Sequence, residues 1–313
     1  MKTYFEYTIT KDTTVRTIYA KERQLLMFNA NAINTIDQST VENEGARYPT
    51  ITFINGDPKM KKGGGVAYEG GWFIDSDKAP ADMTEYGWTK DSFMTRGGAE
   101  IEGYWSSQIE ISVINQRRRW MVDGQGFPWN AYEDAKAAGA PRGHQQYLVL
   151  VKGAEALGPF AITLKGHVGM AFQGARSYAP TGVLSVFGKT VIAAANAKTK
   201  PAKWPFRAFW LPVSAQKDAK GNPVFTEVGT GSNVSTVILP VPVGLPEKAA
   251  QVDLNKVYVG DELLAVVNQL HTESADWVAQ WESKMSSDAG HRNGAHQEEG
   301  AEISADAIDE LGV

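Results

Sequence analysis

Cysteine is absent from the 313 residues. That removes disulfides, thiol nucleophiles and cysteine-based metal sites from consideration. Long apolar runs are missing too. Nowhere do about 18 consecutive apolar residues occur, so a membrane-spanning helix is not expected. The first residues, MKTYFEYTITKDTT, lack an apolar stretch of signal-peptide length, which leads to an expected location in the cytoplasm, bacterial or of an infected host cell. Histidine is scarce. His144, His167, His271, His291 and His296 form no HExxH pair, and no metal or other cofactor is expected.

Enzyme motifs are likewise lacking. Gly188-Lys189-Thr190 resembles the end of a phosphate-binding loop, but the first glycine would have to stand where Val183 does. The preceding apolar run reads as a strand carrying an exposed lysine. Asp75 and Asp77 make a carboxylate pair of a kind common in surface loops. The expectation is a non-enzyme.

What the chain does contain is turn and strand residues. It has 31 Gly and 14 Pro, with 42% hydrophobic and 21% charged residues, a composition that folds. Strands are predicted at 3–20, 48–54, 68–75, 101–114, 147–151, 160–172, 183–193 and 206–213. A last one at 234–243 contains Pro240 and Pro242 and should lie at an edge or end early. One helical stretch is clear. Leu263, Val266, Val267, Leu270, Trp277, Val278 and Trp281 recur at helical spacing after Asp261, a candidate cap. A break near residues 271–273 would make it a pair.

Charge is unevenly spread. The net charge of −5 hides a body, residues 1–260, with 29 Lys+Arg against 24 Asp+Glu, followed by residues 261–313 with 2 against 12. Between Ala156 and Lys217 there is no acid at all. That run holds Lys165, Arg176, Lys189, Lys198, Lys200, Lys203, Arg207 and Lys217, interleaved with Trp204, Phe206 and Trp210 among other aromatics. Arg117, Arg118 and Arg119 beside Trp120 repeat the combination. So do Lys59, Lys61 and Lys62 near Trp72, and Trp105 joins the aromatic set. Cations neutralise phosphates and aromatic faces stack on unpaired bases, so this mixture suits a single-stranded nucleic acid. The opposing reading is that strand aromatics are core and basic residues keep the surface soluble. On the nucleic-acid reading, the 156–217 cations and the three arginines should line one continuous surface.

Residues 286–313 carry seven acids against Arg292, and the tip includes Asp306, Ile308, Asp309, Glu310, Leu311 and Val313. Acids mixed with a few aliphatics can dock into a basic-rimmed apolar pocket on another protein. A β body with cations and aromatics, a linker and an acidic tip together resemble bacterial and phage single-stranded DNA-binding proteins. The usual ending of several Asp followed by Ile-Pro-Phe is missing, and the body is longer than one OB fold.

The resemblance implies a mainly β fold, an elaborated OB-like barrel or barrels with a C-terminal helix and a disordered acidic tail. It places a nucleic-acid-binding body at 1–258, with a break near 123–146. A helical segment would follow at 259–285, and linker and tail at 286–313. It further implies single-stranded DNA as ligand, with RNA as the alternative, and roles in DNA replication and recombination. The tip residues would recruit partner proteins, and self-association is compatible. Two rivals remain open here: a phage virion or assembly protein, and a nucleic-acid-processing enzyme with unrecognised carboxylates.

Overall fold

The computed structural model describes residues 47–60, 66–94, 100–199, 203–229 and 234–287. Residues 1–46 and 288–313, and with them the predicted strand at 3–20 and the acidic tip, lie outside the described residues, as do 61–65, 95–99, 200–202 and 230–233.

The chain is mainly β, as its turn-rich composition implies. It runs through β1 (Thr50–Ile54), β2 (Asp57–Met60), β3 (Val66–Tyr68), β4 (Gly71–Asp75), β5 (Thr89–Met94), β6 (Glu100–Ser106), β7 (Gln108–Val122) and β8 (Gln125–Pro128). After α1 (Tyr132–Ala138) come β9 (Arg142–Val151), β10 (Phe160–Lys165) and α2 (Gly166–Gln173). Then α3 (Val183–Phe187) passes through a π-helical turn (Gly188–Ile192) into α4 (Ala193–Lys198). The remaining strands are β11 (Leu211–Ala215), β12 (Phe225–Val228), β13 (Ser235–Ile238) and β14 (Pro240–Pro242). Three helices close the described chain: α5 (Leu254–Val257), α6 (Asp261–Glu273) and α7 (Ala275–Ser287). None of the described helices is long and apolar enough to cross a membrane.

Ten strands form one mixed sheet in the order β14-β11-β7-β9-β10-β1-β4-β6-β5, with β8 attached to β7. Only the β1–β10 pair of this ladder is parallel. Strands β11 and β7 approach β4 from the far half of the ladder, so the sheet curls. The separate two-stranded sheet β12–β13 and the segment after β11 reach its β1–β4 half. Ile238 N–H donates to Asn55 Oδ1 at the end of β1, and Lys217 pairs with Glu69 at 3.3 Å. The ladder remains open among the described residues and forms no closed barrel. Pro240 and Pro242 put β14 at one edge of the sheet, where a missing N–H costs no ladder bond.

Each face has its own core. The inner face gathers Ile51, Trp72, Ile111, Tyr147, Phe160 and Leu211, and α2 and α3 close it with Phe172, Val183 and Phe187. The outer face gathers Tyr48, Ile114, Leu148, Leu150 and Trp210 beneath Val267 and Trp277 of α6 and α7.

One predicted strand is helical throughout, and another becomes helical in its second half. In residues 183–193, Val183, Phe187 and Val191 recur every four residues and all three are buried, and the run then passes into Ala193-Ala194-Ala195. Helical periodicity and alanine outweigh the β-branched content. Gly188-Lys189-Thr190 therefore sits in mid-helix, where Thr190 Oγ1 donates to Val186 O, and it does not wrap a phosphate. The strand expected at 160–172 stops at Lys165, and Gly166 (φ 49°) turns it into α2. Residue 206 begins a short 3-10 turn before β11.

The helical pair breaks at Ser274, and Gly260 (φ 91°), not Asp261, occupies the cap of α6; Asp261 instead accepts from Tyr258 OH. The corner between α6 and α7 docks on a bulge in β7. Val113 pairs with Val149 and Asn115 with Leu148, leaving Ile114 as one extra residue. The bulge frees the Ile114 carbonyl, and His271 Nδ1 donates to it at 3.0 Å, which fixes the proton on that nitrogen. Asn115 Nδ2 donates to His271 O and to Ser274 Oγ.

Candidate nucleic-acid interface

Successive residues of a strand point to opposite faces. Downstream of the bulge, Asn115, Arg117 and Arg119 therefore share the outer face with α6 and α7, while Arg118 and Trp120 share the inner one. The three consecutive arginines meet two different environments.

On the outer face Arg117 is enclosed. Its Nε donates to Gln146 Oε1 and its Nη1 to Trp277 O, both at 2.8 Å. Its guanidinium lies 4.0 Å from the Trp277 ring centre and 4.5 Å from that of Trp281. The Arg119 guanidinium lies 4.4 Å from the Trp281 ring centre as well. The result is a ladder of alternating rings and guanidiniums, Trp277–Arg117–Trp281–Arg119. Burial, aided by the charge of Arg119, pushes Arg117 down to about 9, so it stays charged at neutral pH. Its Nε and Nη1 are already engaged, and it holds α7 on the sheet.

The inner-face stack arises from a tight hairpin. Asp123 (φ 46°) and Gly124 (φ 82°) form the two-residue turn between β7 and β8, the geometry that Asp-Gly favours. The register that follows pairs Arg119 with Pro128, which brings position 129 opposite Arg118. Trp129 stacks on Trp120 at 4.2 Å with planes 7° apart, and the Trp120 Nε1–H donates to Trp129 O. Tyr132 meets the edge of Trp120 at 4.9 Å. Arg118 is exposed, its guanidinium 5.0 Å from the Trp129 ring. Rings held in parallel beside an exposed cation can receive a flat, electron-rich ligand such as a nucleobase.

No family model, curated protein or solved structure matches this chain. The site is therefore read from its own geometry.

Among the expected stacking residues, Trp72 is fully buried against Phe53, and Trp210 is 5% exposed within the outer core. Neither is presented to a ligand, because strand aromatics here serve the two cores. Trp105 donates its Nε1–H to Gly70 O and leans on the Ile54, Phe73 and Phe93 cluster. Trp204, whose Nε1–H donates to Thr199 Oγ1, and Phe206 pack on the inner core. Among these expected aromatics, Trp120 belongs to the open stack.

The basic residues are divided between faces. Arg207 donates to Asn268 on the outer side at 2.6 Å. Lys189 and Lys198 are exposed on the helical segment that closes the inner face, and Lys203 is exposed just after it. The single continuous surface expected from the acid-free run is not formed, since strand alternation separates Arg118 from Arg117 and Arg119. The side chains of Lys59 and Arg176 are not described. Lys61, Lys62, Lys200 and the tip residues Asp306, Ile308, Asp309, Glu310, Leu311 and Val313 lie outside the described residues.

Trp129 was missing from the sequence-based set. The signal was present: an Asp-Gly turn between two short strands places residue 129 across from residue 118 by counting alone. Arg142 and His144 were missed as well, because only the pairing of β9 with β7 shows that they flank Arg119.

Proposed function

We propose that this chain is a non-catalytic protein that binds and coats single-stranded DNA in replication or recombination. What supports the reading most is the Trp120–Trp129 stack with exposed Arg118 beside it. Base–aromatic stacking contributes about 1–3 kcal/mol per base and tolerates any sequence. Exposed Lys189, Lys198 and Lys203 add cations that attract a polyanion without reading its bases. The proposal does not require an OB-like barrel; an open curled sheet can present the same stack, because function resides in the site rather than in the fold. The acidic tip, with Ile308, Leu311 and Val313 among its acids, is proposed to recruit replication or recombination proteins, and the cytoplasm is the proposed location.

The test is quenching of tryptophan fluorescence by poly(dT) at two salt concentrations, repeated with Trp129→Ala. Binding that weakens with salt and loses most of its quenching in the variant is expected. No binding by the intact protein would overturn the proposal and favour an assembly role. Metal-dependent cleavage of the DNA would turn it toward a nuclease.

A further inference from the structure

At the start of β7, far from the stack, the fold leaves a cleft of about 240 Å³. The turn before β5, the first residues of β7 and the end of β9 wall it with Tyr86, Trp88, Gln108, Glu110, Val151 and Lys152. Glu110 and Trp120 lie on the same strand, about 30 Å apart at strand spacing, so one small ligand cannot touch both sites.

Local sequence shapes the cleft. Asp82 Oδ1 accepts from the Thr84 N–H at the start of a 3-10 turn, and Gly87 (φ 83°) ends that turn. The left-handed residue reverses the chain between Tyr86 and Trp88. A Cβ at Gly87 would meet nothing within 4 Å, so this side is open. Trp88 is 5% exposed and Val151 is buried, which makes the floor apolar. The Trp88 indole N–H and the Tyr86 hydroxyl have no partner among the described residues. A buried indole N–H usually has one, and a ligand in the cleft can supply it. At the rim Lys152 Nζ meets Glu110 Oε2 at 2.6 Å, with 42% and 36% of the two side chains exposed. Such a pair holds weakly and can be shared with a ligand. Glu110 Oε1 and the Gln108 side-chain amide have no partner among the described residues.

The volume lies below the roughly 300 Å³ of a small drug pocket, so it suits one base rather than a dinucleotide. A cation beside a carboxylate selects among bases. Guanine sets one acceptor, O6, next to two donors, N1–H and N2–H2. Lys152 can donate to O6 while the two Glu110 oxygens accept from the two donors. Its N7 is left for the Trp88 N–H or the Gln108 amide. Cytosine gives the carboxylate one amine followed by acceptors. Adenine places an acceptor beside its amine, and uracil or thymine flanks one N–H with two carbonyls. A bare phosphate would meet the charge of Glu110.

We propose that this cleft binds a guanine base, with Glu110 and Lys152 reading its edge and Trp88 supplying a further donor. It is separate from the Trp120–Trp129 stack and requires nothing of the single-strand reading.

The experiment is isothermal titration calorimetry of the full chain with guanosine 5′-monophosphate and, separately, with the adenosine, cytidine and uridine monophosphates. Guanosine monophosphate should bind at least about tenfold more tightly than the others, the usual effect of a bidentate base contact. Glu110→Gln keeps the size but turns one acceptor into a donor, and should abolish the preference. Lys152→Met, at an exposed position, should weaken guanosine monophosphate about tenfold, and it tests the site should Glu110→Gln fold poorly. Trp129→Ala should leave the preference intact. Equal binding of all four, or a preference that survives both rim variants, or one that is lost in Trp129→Ala instead, overturns the proposal. Comparing an oligothymidylate with the same strand carrying one internal guanine separates the two sources of the base. Tighter binding of the second strand, lost in Glu110→Gln, assigns the site to a strand; equal binding, with the mononucleotide preference kept, assigns it to a free nucleotide.

Discussion

One strand builds two arginine–tryptophan assemblies that differ in everything but composition. Arg117 and Arg119 meet Trp277 and Trp281 on the outer face, where the rings are buried and Arg117 is hydrogen-bonded through Nε and Nη1. Arg118 sits beside Trp129 and Trp120 on the inner face, where Arg118 is exposed and the rings are half-buried. Residue type does not separate a structural clamp from a presented surface. The separation comes from what covers each face beyond the sheet: a helical pair in the first case, a short hairpin in the second. The comparison also shows why a run of three arginines is a poor guide to one positive patch.

The largest effect that would sharpen this contrast is on stability. Trp277→Ala removes a ring that is 2% exposed and in contact with Tyr48 as well as Arg117, and should cost about 3–5 kcal/mol in urea unfolding. Trp129→Ala should cost far less. Equal losses would mean that the open stack is also structural, and the contrast would collapse.

Next comes the acid limb of stability. His144 has a folded pKa of about 3, below its unfolded value, so the unfolded chain takes up a proton that the native state refuses. Stability is therefore unaffected by this group above about pH 6.5 and falls by about 1.4 kcal/mol per pH unit from there toward pH 3. His144→Gln should make the acid limb shallower by that amount in paired unfolding titrations. An unchanged limb would show that burial and the neighbouring Lys165, Arg119 and Arg142 do not hold the ring neutral.

Smaller effects belong to the open side. Trp129→Ala should weaken oligothymidylate binding by about 1–3 kcal/mol, measured by anisotropy. Arg118→Ala should remove about 0.5–1 kcal/mol, the usual size of an exposed cation–π contact. If Arg118→Ala weakened binding more than Trp129→Ala, the site would be chiefly electrostatic and the stacking account would need replacing.

Much of the fold was legible where a single period ran uninterrupted. Leu263, Val267, Leu270, Trp277 and Trp281 announced a helical pair, and the break expected near 271–273 falls at Ser274. Alternation through residues 101–114 announced strands, and Pro240 with Pro242 announced an edge. The end of β7 was not legible as strand because its outward residues are arginines, which signal surface rather than pairing. Val183, Phe187 and Val191 were misread because β-branched residues were weighed above their four-residue spacing. The site was half legible. Arg118 and Trp120 carried the right chemistry, but Trp129 needed the hairpin register and His144 needed a pairing distant in sequence. Trp72 and Trp210 carried the right chemistry in the wrong place, since no local pattern tells a core indole from a presented one.

The bulge at Ile114 acts as a parity switch. Because side chains alternate, one supernumerary residue reverses the sidedness of everything after it, and Asn115 to Val122 inherit that reversal as a block. Removing Ile114 itself would take the bulge with it: the Val113–Val149 and Asn115–Leu148 pairs would become successive rungs, and every later side chain would keep its face. Gaining or losing one residue between Asn115 and Val122, where the pairing is regular, would instead exchange clamp and platform for the residues beyond it unless a second bulge took up the change. The present bulge is thus a store of one residue of slack, and the stretch after it has none.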